Sequence, residues 1–157
     1  MPDKSIRHTI AENRFFSTLP DEDIDFLAAH ADQKQLADGQ LLFHRDDAAK
    51  HFYLLTKGRL SLEIPAIEGP ALELQDIGPG QIAGWSWLIP PNRWHFQARA
   101  RAPIEYLEFD GVAVLAHCKA EPRFGYEIVM RFSTLMSERL DFARRKMMET
   151  WKPLGFA

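Results

Sequence analysis

From about residue 33 to residue 110 the chain carries no helical period; it is cut into short β-like runs, each closed by turn residues. This limits the fold more than any other feature, because many short strands at close spacing build a jelly-roll or a similar barrel. Leu41–His44 follows Asp38-Gly39, and Phe52–Thr56 leads into Lys57-Gly58. Arg59–Ile64 alternates Leu60, Leu62 and Ile64, and Leu72–Ile77 ends at Gly78-Pro79-Gly80. Phe96–Ala102 and Ile104–Asp110 flank Pro103. Glycine supplies the positive φ of tight turns, so the two runs around Gly58 are expected to form a hairpin.

Helical patterns flank the strands. Ala11–Leu19 carries Phe15, Phe16 and Leu19 and reads as one helix. Pro20 suits the start of a second, since its missing N–H is not needed there. Asp21, Glu22 and Asp23 put negative charge at the positive end of that helix, and Ile24, Leu27 and Ala28 form its buried stripe. Asp110–Cys118 reads as a short helix, and Pro122 opens a long one reaching Trp151. Apolar residues recur there at Val129, Phe132, Met136, Leu140, Ala143, Met147 and Trp151, in steps of 3, 4, 4, 3, 4 and 4. A helix of that span is about 45 Å long and outreaches a small barrel. Its stripe would leave a large apolar patch on a monomer, and its spacing suits a parallel coiled-coil seam, so a homodimer is expected.

The 157 residues suit one domain, a barrel over about 33–110 followed by the helix over about 122–151. A net charge of −3 offers no basic surface for nucleic acid. The single cysteine, Cys118, forms no internal disulfide and leaves no CxxC zinc spacing or iron–sulfur ligand set, which fits a reducing cytoplasm. MPDKSIRHTI has no apolar core, so no signal peptide is expected, and no apolar run reaches the roughly 20 residues that span a bilayer. Arg144-Arg145-Lys146 reads as a solvated helix face.

Asp38-Gly39-Gln40-Leu41-Leu42-Phe43, Asp47, Phe52-Tyr53-Leu54-Leu55 and Gly58-Arg59-Leu60 together resemble the opening of a cyclic-nucleotide-binding domain. Ile77-Gly78-Pro79-Gly80-Gln81-Ile82-Ala83-Gly84 resembles its middle signature. Met130-Arg131-Phe132-Ser133, Met136 and Arg139-Leu140 resemble the long dimerisation helix of the catabolite-activator and fumarate-nitrate-regulator branch. The resemblance implies a mainly β double-stranded β-helix, or jelly-roll, with N-terminal helices and a long C-terminal dimerisation helix. It also implies a glutamate after Gly84 to hold a ribose hydroxyl, and an arginine in Arg-Ser/Thr-Ala to pair with the cyclic phosphate. A guanidinium meets two phosphate oxygens at once, and backbone N–H groups complete the cradle.

This chain departs from that pattern. Trp85 stands where the glutamate is expected. Counting back from Arg99-Ala100, the arginine position falls on Trp94, followed by His95 and Phe96, with Arg93 one residue out of register. The polar pair that meets adenine in the activator branch aligns with Ala143 and Arg144. Ordinary cyclic nucleotide recognition is therefore expected to be lost. Three of the four tryptophans fall in Gly84–Phe96. Gly84, Trp85, Ser86, Arg93, Trp94 and His95 are candidates for a reshaped pocket that takes an anionic or aromatic ligand. The same tryptophans could instead fill the old pocket as core, or dock a partner.

No cofactor, metal site or catalytic residue is expected. His44 and His51 could face each other, yet scattered histidines are usually exposed or hydrogen-bonded. Cys118 reads as a small buried hydrophobe, and Glu105 and Glu108 as solvent-facing strand residues. GxSxG, HExxH and P-loop motifs do not occur. The expected function is a non-enzymatic regulatory or sensor module that binds a small ligand or a partner protein. The family's usual output is a helix-turn-helix domain; only Lys152–Ala157 follow Trp151, so direct DNA binding is not expected. The alternatives are cyclic nucleotide binding through a shifted Arg93, or a small cupin-like metal enzyme, for which the histidine spacing is missing.

Overall fold

A computed structural model describes residues 4–151, with the side chains of Thr150 and Trp151 outside the described residues. Among the described residues, eight strands form two four-stranded antiparallel sheets, with two helices before them and two after. The strands are β1 (Ala31–Leu36), β2 (Leu41–Phe43), β3 (His51–Lys57), β4 (Leu60–Ile64), β5 (Leu72–Ile77), β6 (Ile82–Ala83), β7 (Gln97–Ala100) and β8 (Ile104–Asp110). One sheet runs β1-β8-β3-β6 and the other β2-β7-β4-β5, the jelly-roll expected from the short runs.

The expected hairpin at Gly58 is not formed. β3 pairs with β8 and β6, whereas β4 pairs with β7 and β5. Gly58 (φ 90°) instead carries the chain from one sheet to the other. A Cβ there would lie 2.5 Å from the Pro103 carbonyl oxygen, so the close approach of a second crossing excludes any side chain.

The first helix also differs. α1 spans Lys4–Glu12, not Ala11–Leu19, and buries Ile6 and Ile10. The chain leaves it at Asn13, whose side chain accepts from the Phe15 N–H (2.9 Å) and donates to the Gly80 carbonyl (2.8 Å). That Asx turn competes with helix and drops Phe15 and Phe16 onto the core. α2 (Asp21–Ala29) follows Pro20 as expected and buries Ile24, Leu27 and Ala28.

β3 shows how the core divides. Phe52 and Leu54 point to the helices, and Tyr53 and Leu55 point into the barrel, the period-two alternation of a strand covered on both faces. α3 (Gly111–Ala120) begins at Asp110, whose carboxylate accepts from the Ala113 N–H (3.0 Å). α4 spans Pro122–Trp151. Its start is clamped to α2 by Arg123, which donates to both oxygens of buried Asp23 (2.7 and 2.9 Å). Arg131 ties it to the Phe15 carbonyl and Thr18.

Two stripes run along α4. Phe124, Ile128 and Phe132 are fully buried, and Leu135 continues their line into the core. Phe132, expected in a dimer seam, is therefore committed to its own chain. It packs edge-on to Phe15, Phe52 and Trp87, with ring centroids 5.0, 5.2 and 5.1 Å away. Val129, Leu140, Ala143 and Met147 stay exposed and Met136 is half-buried. The side chain of Trp151 lies outside the described residues.

Candidate functional site

β6 ends at Gly84, whose φ of 95° and lack of Cβ let the ring of Trp94 approach; a Cβ would stand 2.7 Å from it. Trp94 stacks on Phe43 at 3.9 Å and is buried in the barrel core. Trp87 stacks on Phe52 at 4.8 Å, in the cluster beneath the helices. Two of the three clustered tryptophans are thus core. The third, Trp85, is half-buried and meets Phe96 edge-on at 5.7 Å.

Above the Trp85 ring, 5.4 Å from its centroid, lies the guanidinium of Arg139 on α4. Arg139 is 7% exposed. Its Nη2 donates to the Ile82 carbonyl, while Nε and Nη1 have no hydrogen-bond partner. Burial pushes this guanidinium down to about 10, with Glu138 opposing the shift. The other arginines that reach into the fold are paired with carboxylates. Arg99 and Arg101 donate to buried Glu63 (2.9 and 3.0 Å), Arg123 to Asp23, and Arg131 to Glu127 (2.5 Å).

Arg139 borders two cavities. One, about 230 Å³, is lined by Leu62 and Leu74 of the barrel, by Trp85 and Phe96, and by Met136 and Leu140 of α4. The other, about 440 Å³, is more polar and includes Arg14, Thr18, Gln81, Arg131 and Thr134. The site is therefore an apolar, aromatic-walled chamber bordered by Arg139, which has no carboxylate partner among the described residues.

Of the candidates read from sequence, Gly84, Trp85 and Trp94 come together, with only Trp85 on the chamber. Ser86 is buried, and Asn92 Nδ2 donates to its carbonyl (3.1 Å). Arg93 and His95 are exposed and line neither cavity; Arg93 Nη1 donates to the Asp46 carbonyl (2.8 Å). His44 and His51 do not meet: one lies 3.8 Å from Asp47 and the other 3.7 Å from Glu108. Among the described residues no three His, Cys, Asp or Glu side chains form a group that could hold a metal. Burial pushes the half-buried Cys118 thiol up to about 11, away from a reactive thiolate. No helix among the described residues is long and apolar enough to cross a membrane.

The sequence reading missed Arg139 as a site residue. The signal was present: the inward stripe Phe124, Ile128, Phe132, Leu135 steps next onto position 139, and an arginine stands there.

A family model described as cyclic nucleotide-binding domain matches residues 33–121. No curated protein matches the chain. Among solved structures, a putative cyclic nucleotide-binding protein from Geobacter metallireducens is 23% identical, with a TM-score of 0.76 over 87% of this chain and 96% of that one. A cyclic nucleotide-binding domain from Methylobacillus flagellatus is 16% identical, with a TM-score of 0.77 over 97% and 84%. The sensor domain of the transcriptional regulator DNR from Pseudomonas aeruginosa is 18% identical, with a TM-score of 0.71 over 88% and 93%. At these identities the likeness is one of fold.

Proposed function

Because this chain belongs to the cyclic nucleotide-binding domain family, we propose that it is a regulatory sensor module whose chamber between barrel and α4 serves a small ligand other than a cyclic nucleotide. The observation that carries this reading is the aromatic occupation of two positions. Trp85 stands where the family pattern has its ribose-binding glutamate, and Trp94, where the phosphate-binding arginine is expected, is packed against Phe43 and Gly84. Removing the charge partner of a buried phosphate costs roughly 2–5 kcal/mol, enough to abolish micromolar binding. Binding through a shifted Arg93 is disfavoured, since that side chain is exposed and engaged with Asp46.

Calorimetric titration with cyclic AMP and cyclic GMP is expected to give no binding below about 10 µM, near −7 kcal/mol. A one-to-one isotherm tighter than that, abolished by Arg93→Ala, would refute the reading and establish the Arg93 alternative.

We also propose that the module works as a homodimer in the cytoplasm, without catalysis and without touching nucleic acid itself, and signals to a partner protein. With Phe132 assigned to the core, the seam shifts to Val129, Ser133, Met136, Leu140, Ala143 and Met147, in steps of 4, 3, 4, 3 and 4. Leu140 is 56% exposed, which supports an uncovered seam. Light scattering at tens of micromolar protein is expected to give twice the monomer mass, and Leu140→Asp to halve it by placing an unpaired charge in the seam. A wild-type monomer, or a Leu140→Asp dimer, would defeat the proposal.

A further inference from the structure

Three features of the chamber bear on what it accepts. Its walls are apolar and aromatic, with Trp85 and Phe96 edge-on at 5.7 Å and Leu62, Leu74, Met136 and Leu140 around them. Its volume, about 230 Å³, lies below the roughly 300–1,000 Å³ of sites for drug-sized ligands, so a single ring fits better than a nucleotide. Its one buried charge is Arg139, with Nε and Nη1 unbonded. With Nε and Nη1 unbonded and no carboxylate beside it, this guanidinium holds unused N–H donors, and a buried ion without a partner is strongly disfavoured until one arrives.

Among the described residues none supplies that partner. Arg99, Arg101, Arg123 and Arg131 each bond a carboxylate of this chain, whereas Arg139 feels only the charge of its exposed neighbour Glu138, with which it forms no ion pair. On the chamber side the guanidinium faces the ring of Trp85, a weak cation–π contact that adds no hydrogen bond to Nε or Nη1.

We propose that the chamber binds a small aromatic carboxylate, its ring against Trp85 and Phe96 and its carboxylate paired with the Arg139 guanidinium. This deepens the sensor reading above and rests on it. The site is built in the inverse sense to a phosphate cradle: the anion is met by a side chain of α4, and the aromatic body by the barrel. Ligand entry therefore neutralises a charge on the same helix that carries the proposed seam, which links occupancy to the position of α4.

Benzoate and indole-3-acetate, with benzamide and indole-3-acetamide as uncharged counterparts, provide the test by calorimetry and thermal shift on the full chain. At least one carboxylate is expected to bind, about tenfold or more tighter than its amide. Arg139→Met should remove that preference, Arg139→Lys should keep part of it, and Ala143→Leu should weaken both members by narrowing the chamber. Circular dichroism checks that each variant is folded. Equal binding of acid and amide, unchanged preference in Arg139→Met, or no binding of either acid at 1 mM would overturn the proposal. The last outcome leaves the sensor reading intact if cyclic AMP and cyclic GMP also fail to bind; micromolar cyclic nucleotide binding would overturn that reading instead.

Discussion

Phe132→Ala is expected to destabilise the fold by about 3–5 kcal/mol, the range for deleting a buried aromatic ring. Phe132 is fully buried and stands edge-on to three rings, Phe15 from the N-terminal segment, Phe52 from β3 and Trp87 from the loop after β6. Its removal leaves a cavity where three parts of the chain meet, and rigid aromatic neighbours relax poorly into such space. Urea titration with a midpoint read at two protein concentrations decides the matter. The loss should be the same at both, because the contacts lie within one chain. The exposed neighbour Met130, which lies off the proposed seam, should shift stability by no more than about 0.5 kcal/mol when changed to alanine under the same conditions. A Phe132→Ala loss below about 1 kcal/mol, or one that depends on concentration, would return Phe132 to a seam between chains.

Arg139→Met should act in the opposite direction and raise stability by about 1–4 kcal/mol, as replacing a buried ion with a hydrophobe often does. Methionine is long enough to follow the arginine stem and pack on Trp85. Burial holds the folded guanidinium at about 10, below its ordinary value, so folding disfavours its charged form. The cost is complete at neutral pH and fades only as pH rises through about 10. The gain should therefore be full at pH 7, worth roughly 2–4 °C in melting temperature per kcal/mol for a chain of this size. A melting temperature equal to or below that of the wild type would show that the bonds to Ile82 and the Trp85 ring outweigh desolvation. Stability gained with loss of ligand preference is the signature of a residue kept for binding at a cost to the fold.

The two results together describe α4 as a helix with two uses. Its first half is a core element, clamped by Arg123 on Asp23 and by Arg131 on Phe15 and Thr18. At Arg139 the inward stripe turns from packing to chemistry. Beyond it, Phe142 and Met148 are exposed, as Leu140 is, so that half is bound to the barrel by fewer contacts. A helix anchored at one end and charged against a chamber at its middle is suited to change position when that charge is paired.

Local chemistry determined a good deal of this protein without help from the rest of the chain. Strand periodicity and turn residues between 33 and 110 specify a barrel of short strands, and Pro122 with a sustained helical period specifies α4 to its observed start. Such signals are legible because backbone propensity and the alternation of burial act over a few residues. The tertiary structure alone decided three things. Gly58 joins two sheets, because strand partners are chosen by the second sheet and not by the turn. Phe132 lies inward and Ser133 on the open stripe, because positions one residue apart are separated by only about 100° on a helix, and the barrel's placement selects between them. Trp85 faces a chamber while Trp87 and Trp94 fill cores, and Arg139 is buried without a carboxylate, because burial and ion pairing depend on what distant segments bring to the same place. A sequence names the residue types available to a site; only packing determines which of them are left without a partner.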